Sequence, residues 1–162
     1  MIVAVAVNVF ACRTLIDMLW IFLAAAAGSF IALQAAANAS LRANLGDVRY
    51  AAFFSICGTI VTAAAVMLLL RPPFPSAAAF RSAPWWNWIG GPLGALIVLS
   101  GAFLTPKLGS AAFIAAVVAG QVVCSLLLDH FGWMDLARQE ITPGRAFGAV
   151  LVVSGVLAVR YL

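Results

Sequence analysis

The sequence predicts an all-α fold, an integral membrane bundle of five transmembrane helices. Three observations carry that reading. Of 162 residues, 65% are hydrophobic and only 9% are charged, with a mean hydropathy of +1.12. A water-soluble domain carries about 25% charge, so this chain could not cover a water-facing surface. Five stretches are also long and apolar enough to cross a hydrocarbon core, which takes about 20 helical residues. Clusters of proline, glycine and charge separate those stretches, as loops should.

The first span is read over Met18–Leu41, and Gly46-Asp47 divides it from the second, Val48–Leu70. Arg71-Pro72-Pro73-Phe74-Pro75 ends the second span, because proline lacks the N–H that would continue the helix ladder. Trp85, Trp86 and Trp88 gather at the entrance to the third span, Trp86–Leu104, at the headgroup level that indole rings prefer. Thr105-Pro106-Lys107 with Gly109 reads as a tight turn into the fourth span, Ser110–Leu128. The longest polar stretch, Asp129–Pro143, precedes the fifth span, Gly144–Leu162, and is expected outside the hydrocarbon. Gly90 with Gly94 and Gly144 with Gly148 form GxxxG pairs, expected chiefly as packing surfaces within one chain.

Residues 18–162 thus read as one five-helix transmembrane domain, and residues 1–17 as an N-terminal extension. Within that extension Ile2–Cys12 is apolar but too short to span, and it lacks the positive leader of a secretory signal. It is read as an interfacial segment, as an extension of the first helix, or as sequence upstream of a natural start at Met18.

The nine Lys and Arg residues are scattered, and their +4 balance is not a nucleic-acid signal. Five spans put Arg13, Arg71, Arg81, Arg138 and Arg145 on one side, and Arg42, Arg49, Lys107 and Arg160 on the other. Orientation follows a clear excess of cations on the inner side. A near-tie leaves two readings: dual topology with antiparallel pairing, or one orientation set by a few dominant charges.

All five acidic residues, Asp17, Asp47, Asp129, Asp135 and Glu140, fall at or beyond helix ends. This argues against a mid-membrane carboxylate proton relay and against an intramembrane hydrolase. No paired carboxylate or nucleophile accompanies His130, the single histidine, so the chain is not read as an enzyme. Cys12, Cys57 and Cys124 have no CxxC spacing and no histidine cluster, so neither a metal site nor a cofactor is indicated.

Two polar ladders stand out against the apolar spans. Gln34, Asn38 and Arg42 step by four residues, as do Gln121, Ser125 and Asp129, so each set lies along one helix face. An amide in hydrocarbon is costly unless it finds a partner, so such residues face a bundle interior or a water-filled cavity. They are read either as interhelical hydrogen bonds, worth about 0.6–2 kcal/mol each, or as the lining of a solute path. The second reading makes Gln34, Asn38, Gln121 and Ser125 the substrate-binding candidates, with gating or loop roles for Asp129 and His130. Neutral amides suit a polar solute that is not strongly charged.

Several stretches form a recognisable order. Ala32-Leu33-Gln34-Ala35-Ala36-Ala37-Asn38 lies in the first span; Pro84-Trp85-Trp86-Asn87-Trp88-Ile89-Gly90-Gly91 and Leu93-Gly94-Ala95 enter the third. Pro106-Lys107-Leu108-Gly109 precedes the fourth, and Val118-Ala119-Gly120-Gln121 leads to Asp129-His130-Phe131-Gly132. Pro143, Arg145, Gly148 and Gly155 follow in the fifth. In this order the chain resembles the drug/metabolite transporter superfamily, and in it the short YdcZ-type, EamA-like members built from a single five-span unit. The chain departs from the pattern in its first seventeen residues and in Asp135–Thr142, which is more charged.

The resemblance implies a half-transporter of the bacterial inner membrane, a multi-pass protein that works as a homodimer or with a paired homologue. An odd span number inverts the second unit of a pair, which yields the inverted repeats of transporters. The expectation is therefore a small-molecule (drug or metabolite) transporter that works by alternating access as an antiparallel homodimer. Its partners would be a small-molecule substrate and the lipid bilayer, with no nucleic acid. The rival expectation is a non-transporting assembly or scaffold protein whose amides only lock helices together.

Overall fold

A computed structural model describes residues 15–162 with their side chains and the backbone of residues 2–14. The reading of residues 1–17 as an extension therefore falls, up to residue 14, outside the fully described part. The elements are α1 (Ile2–Leu45), α2 (Val48–Leu70), α3 (Ala77–Ser82), a 3-10 turn (Trp85–Trp88), α4 (Gly90–Leu108), α5 (Ser110–Phe131), a second 3-10 turn (Trp133–Asp135) and α6 (Pro143–Tyr161). No strand occurs among the described residues. Five helical segments are long and apolar enough to cross a membrane: Leu15–Leu45, Val48–Leu70, Trp85–Leu108, Ser110–Phe131 and Pro143–Tyr161.

Packing divides the chain into two units, residues 1–34 and residues 35–162, with the boundary inside α1. The first unit is helical, and within it Ser29 donates its hydroxyl back to the Ala25 carbonyl at 3.2 Å. In the second unit α5 packs most extensively on α6 and α2 on α4, while α4 and α5 join the two pairs. The buried positions are almost all small: Ala35, Ala51, Ala52, Gly101, Ala102, Ala112 and Ala119, with Phe113 the one large side chain. Lipid tails are as apolar as leucine, so helices in a bilayer gain most by close backbone approach, which small residues allow. The large apolar side chains point outward instead, as for Phe53, Phe54, Ile60 and Leu68 on α2.

The helix ends have identifiable causes. Gly46 takes φ +75 after Leu45, and Asp47 then caps α2 by accepting from the Arg49 amide at 2.7 Å. Arg71 closes α2 in the left-handed region at φ 45, followed by the two prolines. The α2–α4 connection is not all loop. Ser76 accepts from the Ala79 amide and starts the short α3, and Phe80 of that helix stacks on Trp88 at 5.9 Å.

The third span differs from its expected bounds. Thr105-Pro106-Lys107 is not a turn but the last turn of α4, which runs to Leu108. The whole turn into α5 is Gly109, at φ +84. The GxxxG pairs also differ from expectation. Within residues 35–162, a Cβ built on Gly90, Gly94, Gly144 or Gly148 would meet nothing within 4 Å. These glycines are open on this unit. The tight approach is at Gly101, whose added Cβ would lie 3.5 Å from the Ala35 Cβ and 3.8 Å from the Phe113 ring.

Candidate functional site

Three polar regions are built on this frame. The first lies where the end of α1 meets the end of α4. Proline at position 106 has no N–H to give the carbonyl four residues back, which belongs to Ala102. Ala102 is fully buried, so an unpaired carbonyl there would be costly. Arg42 supplies the missing donor. Its Nη1 donates to the carbonyls of Ala102 and Phe103, both at 3.4 Å, and its guanidinium stands 5.7 Å from the Phe103 ring centre. Lys107 places its ammonium 3.8 Å from the same ring. A cavity of about 340 Å³ opens beside Arg42, lined by Ala39, Arg42, Ala43, Gly46 and Pro106. Asn38, one turn before Arg42, is buried at 5% exposure, and Thr105 is buried with its hydroxyl unbonded. Sequence reasoning placed Arg42 at the foot of the α1 ladder but missed this role. The available signal was Pro106, four residues past Ala102.

The second region is the middle of α5. Gln121 and Ser125 are both exposed within the unit of residues 35–162, and the Ser125 hydroxyl turns back to the Val122 carbonyl at 3.0 Å. Beside them Gly120 would meet nothing within 4 Å if it carried a Cβ. Ala35 lies against Gly101, which is eight residues from the Gly109 turn, or about 12 Å up α4. Asn38 lies about 5 Å from that level toward the turn, and Gln121, twelve residues up α5, about 6 Å to the other side. Roughly 10 Å of bundle axis separates Asn38 from Gln121. Gln34 is the last residue of the N-terminal unit, one turn before Asn38 on α1.

The third region is the α5–α6 connection, where Asp129 and His130 hold the chain. The Asp129 carboxylate pairs with Arg145 at the start of α6, and its backbone carbonyl accepts from the Gln139 amide at 2.8 Å. Arg145 also donates to the carbonyls of Gln139 and Glu140, each at 3.2 Å. His130 Nδ1 accepts from the Ile141 amide at 3.4 Å, and Arg138 donates to the His130 carbonyl at 3.1 Å. The segment between the helices is thus tied along its length. Replacing Asp129 by alanine should remove the charged partner of Arg145 and release residues 132–142. The pair is partly solvent-exposed, so the expected cost is about 1 kcal/mol. Hydrogen exchange should show it as a roughly fivefold loss of protection confined to that segment.

The charge balance of the two ends differs. Asp47 lies outside the spans, and its hydrogen bonds to Arg49 hold its carboxyl down at about 2, so it stays ionised at any physiological pH. It is the one carboxylate at the end that carries Arg42, Arg49, Lys107 and Arg160. The other end of the unit sets Asp129, Asp135 and Glu140 against Arg71, Arg81, Arg138 and Arg145.

Five helices long and apolar enough to cross a bilayer define a multi-pass membrane protein. The comparison with known families agrees. Residues 19–158 match the family described as "Putative inner membrane exporter, YdcZ". The chain belongs to that family, and so is an inner-membrane protein of a transporter family. No curated protein and no solved structure gives a significant match to it.

Proposed function

We propose that the chain exports a small, polar, weakly charged molecule by alternating access, and that two copies in antiparallel orientation form the working unit. The observation that carries this reading is the open middle of α5. Gln121 stands at the centre of a 22-residue apolar helix, and nothing in residues 35–162 covers it. An amide left against lipid tails would cost several kcal/mol. A solute path completed by a second copy removes that cost. The separation of Asn38 from Gln121 favours a path over a single pocket: a solute would meet Gln34, Asn38, Gln121 and Ser125 in succession as the pathway opens to one side and then the other. Asp129 and His130, which tie the α5–α6 connection, would restrain one mouth of such a path. The odd span count and the near-equal division of cations support antiparallel pairing.

The test measures binding and stability on the same variants. A metabolite library is screened against purified protein for solutes that raise its melting temperature. The solutes found are then titrated against Gln121→Ala and Asn38→Ala. Loss of one hydrogen bond to a solute should weaken affinity about two- to twelvefold. If stability falls while affinity is untouched, the amides only lock helices and the scaffold reading holds. Pairing is read separately through Cys124, which is exposed on α5. With Cys12 and Cys57 replaced by alanine, a short bismaleimide should join two copies in native membranes. Monomer alone would refute pairing through α5.

A further inference from the structure

A groove of about 300 Å³ runs between α4 and α5, lined by Ile97, Ser100, Leu104 and Leu108 of α4 and by Phe113, Ala116 and Val117 of α5. It is apolar except for Ser100, whose hydroxyl is already turned back to the Leu96 carbonyl at 2.8 Å. Such a groove has no use for a polar solute. Its length is informative. From Leu108, at the α4–α5 turn, to Ile97 is about 16 Å of helix. One leaflet of the hydrocarbon core is about 15 Å deep. The groove therefore runs from the interface to the bilayer midplane and stops there.

Its interfacial end is cationic. Arg160, at the end of α6, brings Nη1 to the Leu108 carbonyl at 3.3 Å, so its guanidinium sits at the mouth. Lys107 precedes Leu108 directly. Among the described residues neither is in an ion pair, nor is Arg42. Helix α5 starts at the same level with Gly109 before it and no side chain capping its first amides, which adds the positive end of a helix dipole. An apolar slot one leaflet deep, with two cations outside any ion pair at its headgroup end, is complementary to one acyl chain beneath a phosphate.

We propose that the α4–α5 groove binds an anionic phospholipid of the surrounding bilayer, with an acyl chain along Leu104 and Ile97 and the headgroup phosphate at Arg160 and Lys107. Phe113 and Val117 lie on the face of α5 that continues one turn later to Gln121, so the groove ends where the amide ladder begins; the proposal does not rest on the export reading.

The experiment titrates delipidated protein in detergent with phosphatidylglycerol and with phosphatidylcholine of the same chains, and counts retained lipid by native mass spectrometry. Phosphatidylglycerol should bind several-fold more tightly. Arg160→Ala and Lys107→Ala should each erode that preference about fivefold, whereas Arg160→Lys should keep most of it. Ala116→Phe, which fills the groove, should lower retention of both lipids, and the milder Ala116→Leu does the same should the larger variant fail to fold. Arg81→Ala, at the opposite end, should change nothing. Inorganic phosphate should fail to displace the lipid, because it has no chain for the groove. Equal retention of the two lipids, an Arg81→Ala effect as large as that of Arg160→Ala, or full displacement by inorganic phosphate would each overturn the proposal.

Discussion

Gly101→Leu should be the most damaging single substitution in this protein. Gly101 of α4 meets Ala35 of α1 and Phe113 of α5. A Cβ there would already lie 3.5 Å from the Ala35 Cβ, 3.6 Å from the Ala35 Cα and 3.8 Å from the Phe113 ring. Those are ordinary contact distances, so Gly101→Ala should be tolerated. The three further carbons of leucine have no room between Ala35 and Phe113, which are both buried. Ala35 has no rotamer that could move aside. The helices must separate, and overpacking of this kind costs about 3 kcal/mol. Thermal unfolding of the two variants in detergent would measure it. A Leu variant as stable as the Ala variant would show that the three helices do not meet at this point.

The second large effect concerns Arg42 and Pro106 together. Arg42→Met should leave the buried Ala102 carbonyl without a donor, at a cost of about 1–3 kcal/mol. Pro106→Ala alone should restore the N–H that the Ala102 carbonyl lacks, and so make the arginine less necessary. The double variant should therefore lose much less than Arg42→Met does alone. Simple additivity of the two changes would show that Arg42 stabilises the bundle by some route other than this carbonyl.

This pair also shows where sequence reasoning stopped. Spans are legible because hydropathy and length suffice to mark them. The second span, Val48–Leu70, is legible to the residue, since Gly46-Asp47 and Arg71-Pro72 bound it with local chemistry. The third is legible only in part, because Pro106 reads locally as a breaker. The carbonyl that Pro106 leaves without a donor is met by a guanidinium sixty residues away in sequence, and no local rule contains that. The end of the first span at Leu41 misses the helix end for a related reason: Arg42 looks like an interfacial charge, but it turns onto carbonyls of α4 and the helix continues to Leu45. Helix α3 is hidden because Pro72, Pro73 and Pro75 dominate the stretch; the Ser76 cap before three alanines is the available signal. Of the ladder residues, the four-residue spacing gave the face but not the depth. It could not reveal that Asn38 is buried beside α4 while Gln121 stands open on α5.

The one-residue turn at Gly109 bears on how the chain enters the membrane. A helix of 19 residues and one of 22 are joined by a single residue at φ +84. So short a link holds the end of α4 and the start of α5 at one depth, at the same interface. That tip carries Lys107, and insertion with the tip on the far side of the bilayer would have to take an ammonium through hydrocarbon. The hairpin tip thus sets a kinetic barrier to one orientation that a count of cations on the two sides does not contain.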